Sequence, residues 1–170
     1  MNKAQCFESY PIWIVFLANV LALSIYVVGS YIMIQLGIAW LILYLILIAF
    51  IEIRLPLKSC VNCYYYGKRC FSGRGLLCAL FLKKGDPQKF LETKISWKDL
   101  WPEFLLPLAP IFAGIGILIM NFNWFLLGSV LLLFVLAFVG NPIIRGSFAC
   151  KYCKQRELGC SAEQYFSKKS

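Results

Sequence analysis

Cys60, Cys63 and Cys70 stand in the pattern C-x2-C-x6-C, and Cys150, Cys153 and Cys160 repeat it near the C-terminus. A thiolate is the soft ligand that zinc and iron-sulfur centres select, and a two-residue gap lets two sulfurs reach one ion from a single turn. The spacing is a metal-ligand signature. Cys6 and Cys78 bring the total to eight cysteines, and the chain contains no histidine. Any transition-metal site must then be built from thiolates, with at most a carboxylate or backbone group beside them. Each knuckle supplies three sulfurs, and a closed tetrahedral site or a cubane takes four. Cys78 can complete the first set and Cys6 the second; alternatively, six sulfurs share two ions and leave Cys6 and Cys78 spare. Counting does not choose between zinc and an iron-sulfur cluster. The bacterial ferredoxin run, with two-residue gaps throughout, is absent.

The stretch from Cys150 through Lys154 and Arg156 to Cys160 resembles one half of the binuclear zinc cluster of fungal transcription factors. In that family two such halves wrap two zinc ions, which implies that this spacing can hold zinc. The resemblance covers eleven residues in each copy, and it carries no implication of DNA binding here. Basic residues surround the sulfurs: Lys58, Lys68, Arg69, Lys151, Lys154 and Arg156, with Arg54 and Arg145 shortly before each knuckle. Positive charge lowers a thiol's pKa and offsets the negative charge of a four-thiolate site. Arg54, Lys58, Arg69, Arg145, Lys154 and Arg156 are accordingly the expected supporting shell, and the same charges also serve topology.

The elements that must position these residues are apolar. Hydrophobic residues make up 61% of the 170, and the mean hydropathy is +0.73. Pro11 to Ile51 contains no charged residue, and neither does Leu105 to Ile144. Each stretch is about twice the roughly 20 residues that one helix needs to cross a bilayer, so each is expected to be a helical hairpin. Of the 17 basic residues, Lys3 stands alone, ten fall between Arg54 and Lys98, and six between Arg145 and Lys169. The hairpin tips have none. By the positive-inside tendency both termini and the central loop belong in the cytoplasm, in a multi-pass protein of the cell membrane. The lipid bilayer is then the first partner, and nucleic acid is not expected, since topology already accounts for the charge.

In chain order, the first ten residues carry no removable signal peptide. The first span is expected from Pro11 to about Val28, a turn at Gly29-Ser30, and the second span from Tyr31 to Ile53, with Pro56 stopping it. The loop from Leu55 to Asp99 holds four cysteines, the run Tyr64-Tyr65-Tyr66 and plain turns at Ser72-Gly75 and Lys83-Pro87. Phe90 to Trp101 reads as an interfacial segment, with Trp97 and Trp101 as aromatic-belt residues. The third span is expected from Pro102 to Met120, the turn at Asn121-Asn123, and the fourth span from Trp124 to Gly140, ended by Asn141-Pro142. Ser161 and Gln164 can form a capping box for a terminal helix through Ala162 to Phe166.

The halves align at an offset of 91 for Tyr10-Pro11 and Trp101-Pro102, for Ala18 and Ala22 with Ala109 and Ala113, and for Ser30 with Asn121. The cysteines align at 90. The expected fold is therefore all-α and integral to the membrane. Four transmembrane helices form two parallel-repeat hairpins, each followed by a cytosolic knuckle. Residues 1–78 are the first repeat, 79–100 a basic interfacial linker and 101–170 the second repeat. All eight cysteines lie outside the expected spans, and cytosolic thiols stay reduced, which favours metal over disulfide staples.

The function expected from this is a membrane protein with a cytosolic all-cysteine metal centre, structural or electron-transferring, the latter requiring a redox partner. The alternative is a membrane thiol-disulfide oxidoreductase using the C-x-x-C pairs, which would superficially resemble the quinone-linked disulfide oxidases. A third reading is a scaffold or channel-like subunit, for which a homodimer would be expected because four helices are a small body for transport. Asn19, Ser24 and Gln35 are the few polar groups that such a pathway would find in the spans.

Overall fold

Pro11 has no N–H to leave unsatisfied, and its carbonyl accepts from the amides of Ile14 and Val15. It opens α1 (Ile12–Ile34) in a computed structural model that describes residues 6–92 and 97–159. Helix α1 is followed by α2 (Ile38–Lys58), α3 (Arg74–Phe81), α4 (Pro87–Glu92), α5 (Trp97–Met120) and α6 (Trp124–Val135). Beyond α6 the chain stays helical through α7 (Asn141–Ile144) to Ala149, and α8 (Lys154–Gly159) ends the described chain. Four of these helical runs are long and apolar enough to cross a membrane: Ile12–Ile34, Ile38–Asn62, Trp101–Met120 and Trp124–Tyr152. Between 11% and 28% of the residues in their apolar windows are buried within the protein. The rest of that apolar surface needs a lipid-like surrounding rather than water.

The described residues form two compact units. One comprises those of Val20–Glu52 and Trp97–Ile143; the other, those of Met1–Asn19, Ile53–Ser96 and Ile144–Ser170.

In the first unit the helices meet at glycines. A Cβ on Gly29 would collide with the hydroxyl of Tyr44, one on Gly114 with Val130 and Ile32, and one on Gly140 would touch Leu21. Between helices in lipid, where water exclusion contributes little, such close backbone approach is the main source of packing energy. Ile32 and Leu133 are fully buried there. Tyr26 donates to Glu52 Oε1 at 2.5 Å, so the carboxylate near the end of α2 has a phenol partner. The Tyr44 hydroxyl is buried and has no hydrogen-bond partner among the described residues.

The turn between α1 and α2 corrects the sequence expectation. Gly29 and Ser30 are helical, and the turn falls at Gln35-Leu36-Gly37, where Gly37 takes φ +126°. Gly29 is small because Tyr44 lies against it, a tertiary reason that no local pattern displays. The first two spans therefore run to Ile34 and from Ile38, and Ser30 no longer matches Asn121. Pro56 does not stop α2, which reaches Lys58 with the proline inside it. The second turn falls at Asn121-Asn123 as expected, and Asn123 caps α6 by accepting from the Phe125 amide at 2.8 Å.

Asn141-Pro142 does not end the fourth span either. A proline within a helix removes one hydrogen bond and crowds the carbonyl four residues back. The chain absorbs this with wide π-type turns at Leu136–Gly140 and Arg145–Ala149, closed by amides of Asn141 and Cys150 bonding five residues back. The interfacial segment expected from Phe90 to Trp101 contains the end of α4 and the start of α5, and Trp101 is exposed. The side chain of Trp97 and the expected terminal capping box lie outside the described residues.

Replacing Gly114 by leucine should lower stability by roughly 1–3 kcal/mol through overpacking. The same change at Gly128, which has open space around it, should have little effect. Thermal midpoints of the two variants in one detergent check this, and equal shifts would contradict the packing described.

Candidate functional site

The two C-x2-C segments fold alike. Cys60–Asn62 and Cys150–Tyr152 each make a tight 3-10 turn, and Cys63 and Cys153 follow in extended conformation. Cys63 N bonds to Cys60 O and Cys153 N to Cys150 O; then Tyr66 N bonds to Cys63 O and Arg156 N to Cys153 O. These bonds repeat at the 90-residue offset of the cysteines themselves.

The segments also bind each other reciprocally. The Tyr64 amide donates to Gln155 Oε1 at 2.8 Å, and the Lys154 amide donates to the Tyr65 hydroxyl at 2.9 Å. Tyr64 and Lys154 are 90 residues apart, as are Tyr65 and Gln155. Each segment thus offers the amide after its second cysteine to the side chain one position further along in the other. Gln155 is the buried polar residue of this region, at 6% exposure.

An N-terminal strip crosses this pair. Phe7 N donates to Tyr152 O at 2.9 Å, and Phe7 forms an isolated parallel bridge with Cys153. The Tyr65 hydroxyl donates to Phe7 O at 2.6 Å, and the Tyr10 hydroxyl to Ala149 O at 2.6 Å. Tyr10, Ile14 and Tyr65 form a buried cluster, with Cys63, Cys70, Cys153 and Phe148 packed on it. Burial raises the pKa of both phenols, and the nearby Cys153 adds to the rise at each. They serve as neutral hydrogen-bonding groups.

Cys60, Cys70 and Cys78 are electrostatic neighbours. Cys78 sits on the inner face of α3 at 1% exposure; its thiol and that of Cys60 are hydrogen-bonded, and its Sγ donates to Pro56 O at 3.8 Å. Cys70 Sγ accepts the Gly75 amide at 3.2 Å and lies 3.5 Å from Ser72 Oγ. The Cys78 and Cys70 thiols and the Arg74 guanidinium surround Cys60. Burial raises the Cys78 thiol, with the Cys60 bond and Arg74 pulling the other way. Buried thiols of this kind are poor nucleophiles.

Cys6 lies beside α8, hydrogen-bonded to Glu157; its thiol is raised by burial first, then by that carboxylate, against Lys154 and Arg156. Cys150 is exposed and Cys153 half-buried, both electrostatic neighbours of Tyr10. Cys160 lies outside the described residues. The seven described cysteines carry thiols rather than disulfides. Among the described residues, no group of three or more histidine, cysteine, aspartate or glutamate side chains is gathered so as to hold a metal ion.

Of the basic shell, Lys154 Nζ pairs with Glu157 at 2.9 Å, Arg69 Nε donates to Ser9 Oγ at 3.3 Å, and Arg156 acts on Cys6. Arg54 and Lys58 occupy the last turns of α2, and Arg145 begins the second wide turn. Sequence reasoning missed Arg74, the cation acting on Cys60 and Cys78, and missed Tyr10, Tyr65 and Gln155. The signal for the last two was available, since both stand two places after the second cysteine of their C-x2-C segment. Comparison with protein-family models, curated proteins and solved structures returns no match.

Tyr65→Phe leaves Phe7 O and the Lys154 amide without their partner, and Gln155→Ala does the same to the Tyr64 amide. Each should cost about 1–3 kcal/mol. The double variant should lose less than the sum, because the two bonds share one interface. A double-mutant cycle on denaturation midpoints measures this; strict additivity would mean that the two bonds act independently.

Proposed function

We propose that the chain is a multi-pass protein of the cell membrane, both termini cytoplasmic, whose cysteine-rich unit is a soft-metal centre. The observation that carries the reading is the reciprocal exchange between Tyr64-Tyr65 and Lys154-Gln155, joined to identical turns at both C-x2-C segments. A repeat related by an approximate twofold axis is the simplest source of such an exchange. It implies two knuckles built for one task, in units 1–78 and 101–170 joined by the linker 79–100.

Cys60, Cys63, Cys70 and Cys78 form the first ligand set and Cys150, Cys153, Cys160 and Cys6 the second, each holding zinc or an iron-sulfur cluster. Support for the first set is the hydrogen-bonded Cys60–Cys78 pair, with Cys70 as an electrostatic neighbour, and the amide of Gly75 directed at Cys70 Sγ, the kind of N–H···S bond that stabilises a ligating thiolate. Cys60, Cys63, Cys70 and Cys78 would hold a soft cation as thiolates, so its binding would release their protons. Support for the second is Cys6, which the Phe7 bridge carries to the Cys153 turn. The role is structural if the metal is zinc and electron transfer, with a redox partner, if it is an iron-sulfur cluster.

Absorbance and elemental analysis of protein purified without oxygen test this. Stoichiometric zinc, or iron with labile sulfide and a visible chromophore, is expected. Cys60→Ser and Cys150→Ser should each remove about half of the metal, since each four-sulfur set holds its own ion or cluster. Metal-free protein with a C-x-x-C pair that cycles between dithiol and disulfide would overturn the reading in favour of a thiol-disulfide oxidoreductase.

A further inference from the structure

Helix α3 is clamped on one side and bare on the other. Gly75 packs so tightly on the carbonyls of Tyr65 and Lys68 that a Cβ there would collide with both, and Cys78 beside it is buried. The Gly67 amide bonds to Gly75 O, the Tyr66 hydroxyl donates to Leu82 O at 2.6 Å, and the Gly85 amide bonds to Val61 O. Opposite this inner face stand Leu76, Leu77, Leu80 and Phe81, with the last two 76% and 82% exposed. Their spacing places them on one side of the helix. Lys83 and Lys84 follow directly, both exposed.

Three contacts fix where this face lies. Cys78 bonds to Pro56 in the last turn of α2. Asn19 Nδ2 donates to Ser72 O at 3.3 Å, and Val15 Cγ1 lies against Gly73, in the turn that leads into α3. Asn19 is seven residues into α1, about 10 Å along its axis at roughly 1.5 Å per residue. The polar region of a leaflet is only about 5–8 Å deep, so the turn before α3 reaches a level where α1 already meets acyl chains. A bare apolar face at that level, ending in two lysines, has the composition of a helix lying in the interface plane.

We propose that α3 is an in-plane membrane anchor for anionic phospholipid. Leu76, Leu77, Leu80 and Phe81 enter the acyl boundary of the leaflet where α1 begins and α2 ends, and Lys83 and Lys84 bind lipid phosphates. This rests on reading α1 and α2 as membrane spans. Because Cys78 occupies the inner face of the same eight-residue helix, lipid contact and the Cys60–Cys78 pair share one rigid element.

The full chain carrying the photo-crosslinker p-benzoylphenylalanine at Phe81, or as a control at Phe16 on the exposed side of α1, is placed in vesicles of phosphatidylcholine with or without phosphatidylglycerol. Phe81 should give phospholipid adducts by mass spectrometry, enriched several-fold for phosphatidylglycerol over its share of the mixture. Lys83→Gln with Lys84→Gln should abolish the enrichment. Lipid adducts at Phe16 with none at Phe81, or adducts at Phe81 to a second copy of the chain, overturn the anchor while the membrane reading stands. No lipid adduct at either position overturns both, and equal labelling of the two lipids overturns the anionic assignment. Hydrogen exchange on the unmodified protein supplies a second readout: amides of residues 76–82 should exchange more slowly with phosphatidylglycerol present, and unchanged exchange counts against the anchor.

Discussion

The cysteine-rich unit depends on one phenol. The Tyr65 hydroxyl gives its proton to Phe7 O and takes the amide proton of Lys154, so three distant stretches of chain meet at a single oxygen. Its ring stands 5.4 Å from that of Tyr10 and 5.2 Å from that of Tyr64. An isolated hydrogen bond contributes little net stability, but a buried donor or acceptor deprived of its partner is expensive. Tyr65 is therefore a constraint more than a glue: it holds the N-terminal strip and the second C-x2-C segment in a geometry where these groups are satisfied. Cys6 lies near α8, and Cys63, Cys70 and Cys153 pack on the aromatic cluster that contains this ring.

The unit built on Val20–Glu52 and Trp97–Ile143 obeys a different rule. Most of its apolar surface faces outward, so burial cannot sort its helices as it would in water. Close approach at Gly29, Gly114 and Gly140 does the sorting, and this explains why residues without side chains mark the helix contacts. Glu52 fits the same logic, since a carboxylate near a span end requires a partner and Tyr26 supplies one.

What could be read from the sequence follows from how local each cause is. Four apolar runs announce four long helices through composition alone, and the turn between α5 and α6 was legible because Asn123 caps its own helix. The one between α1 and α2 was not, because a glycine beside serine suggests a turn and only Tyr44, fifteen residues away in sequence, reveals Gly29 as a contact point. Pro56 and Pro142 misled for a related reason: long helices in apolar surroundings tolerate a proline that a short helix in water would not. At the candidate site the C-x2-C spacing announced its tight turns, and the cysteine offset pointed to paired segments. The exchange between them was hidden, since it depends on the register of two chains in space. Helix α3 was hidden too: Ser72-Gly73-Arg74-Gly75 has the composition of a loop, while its glycines serve a left-handed turn at Gly73 and a close approach at Gly75.

The wide turns in the last span carry a meaning for chain length. Cys60 follows the turn residue Gly37 by 23 positions, whereas Cys150 follows Asn123 by 27. A π-type turn holds one residue more than an α turn while leaving the helix on either side in phase. Two such turns therefore take up two of the four surplus residues. The final helix acts as a slip joint, the segment where residues can be gained or lost without interrupting the helix.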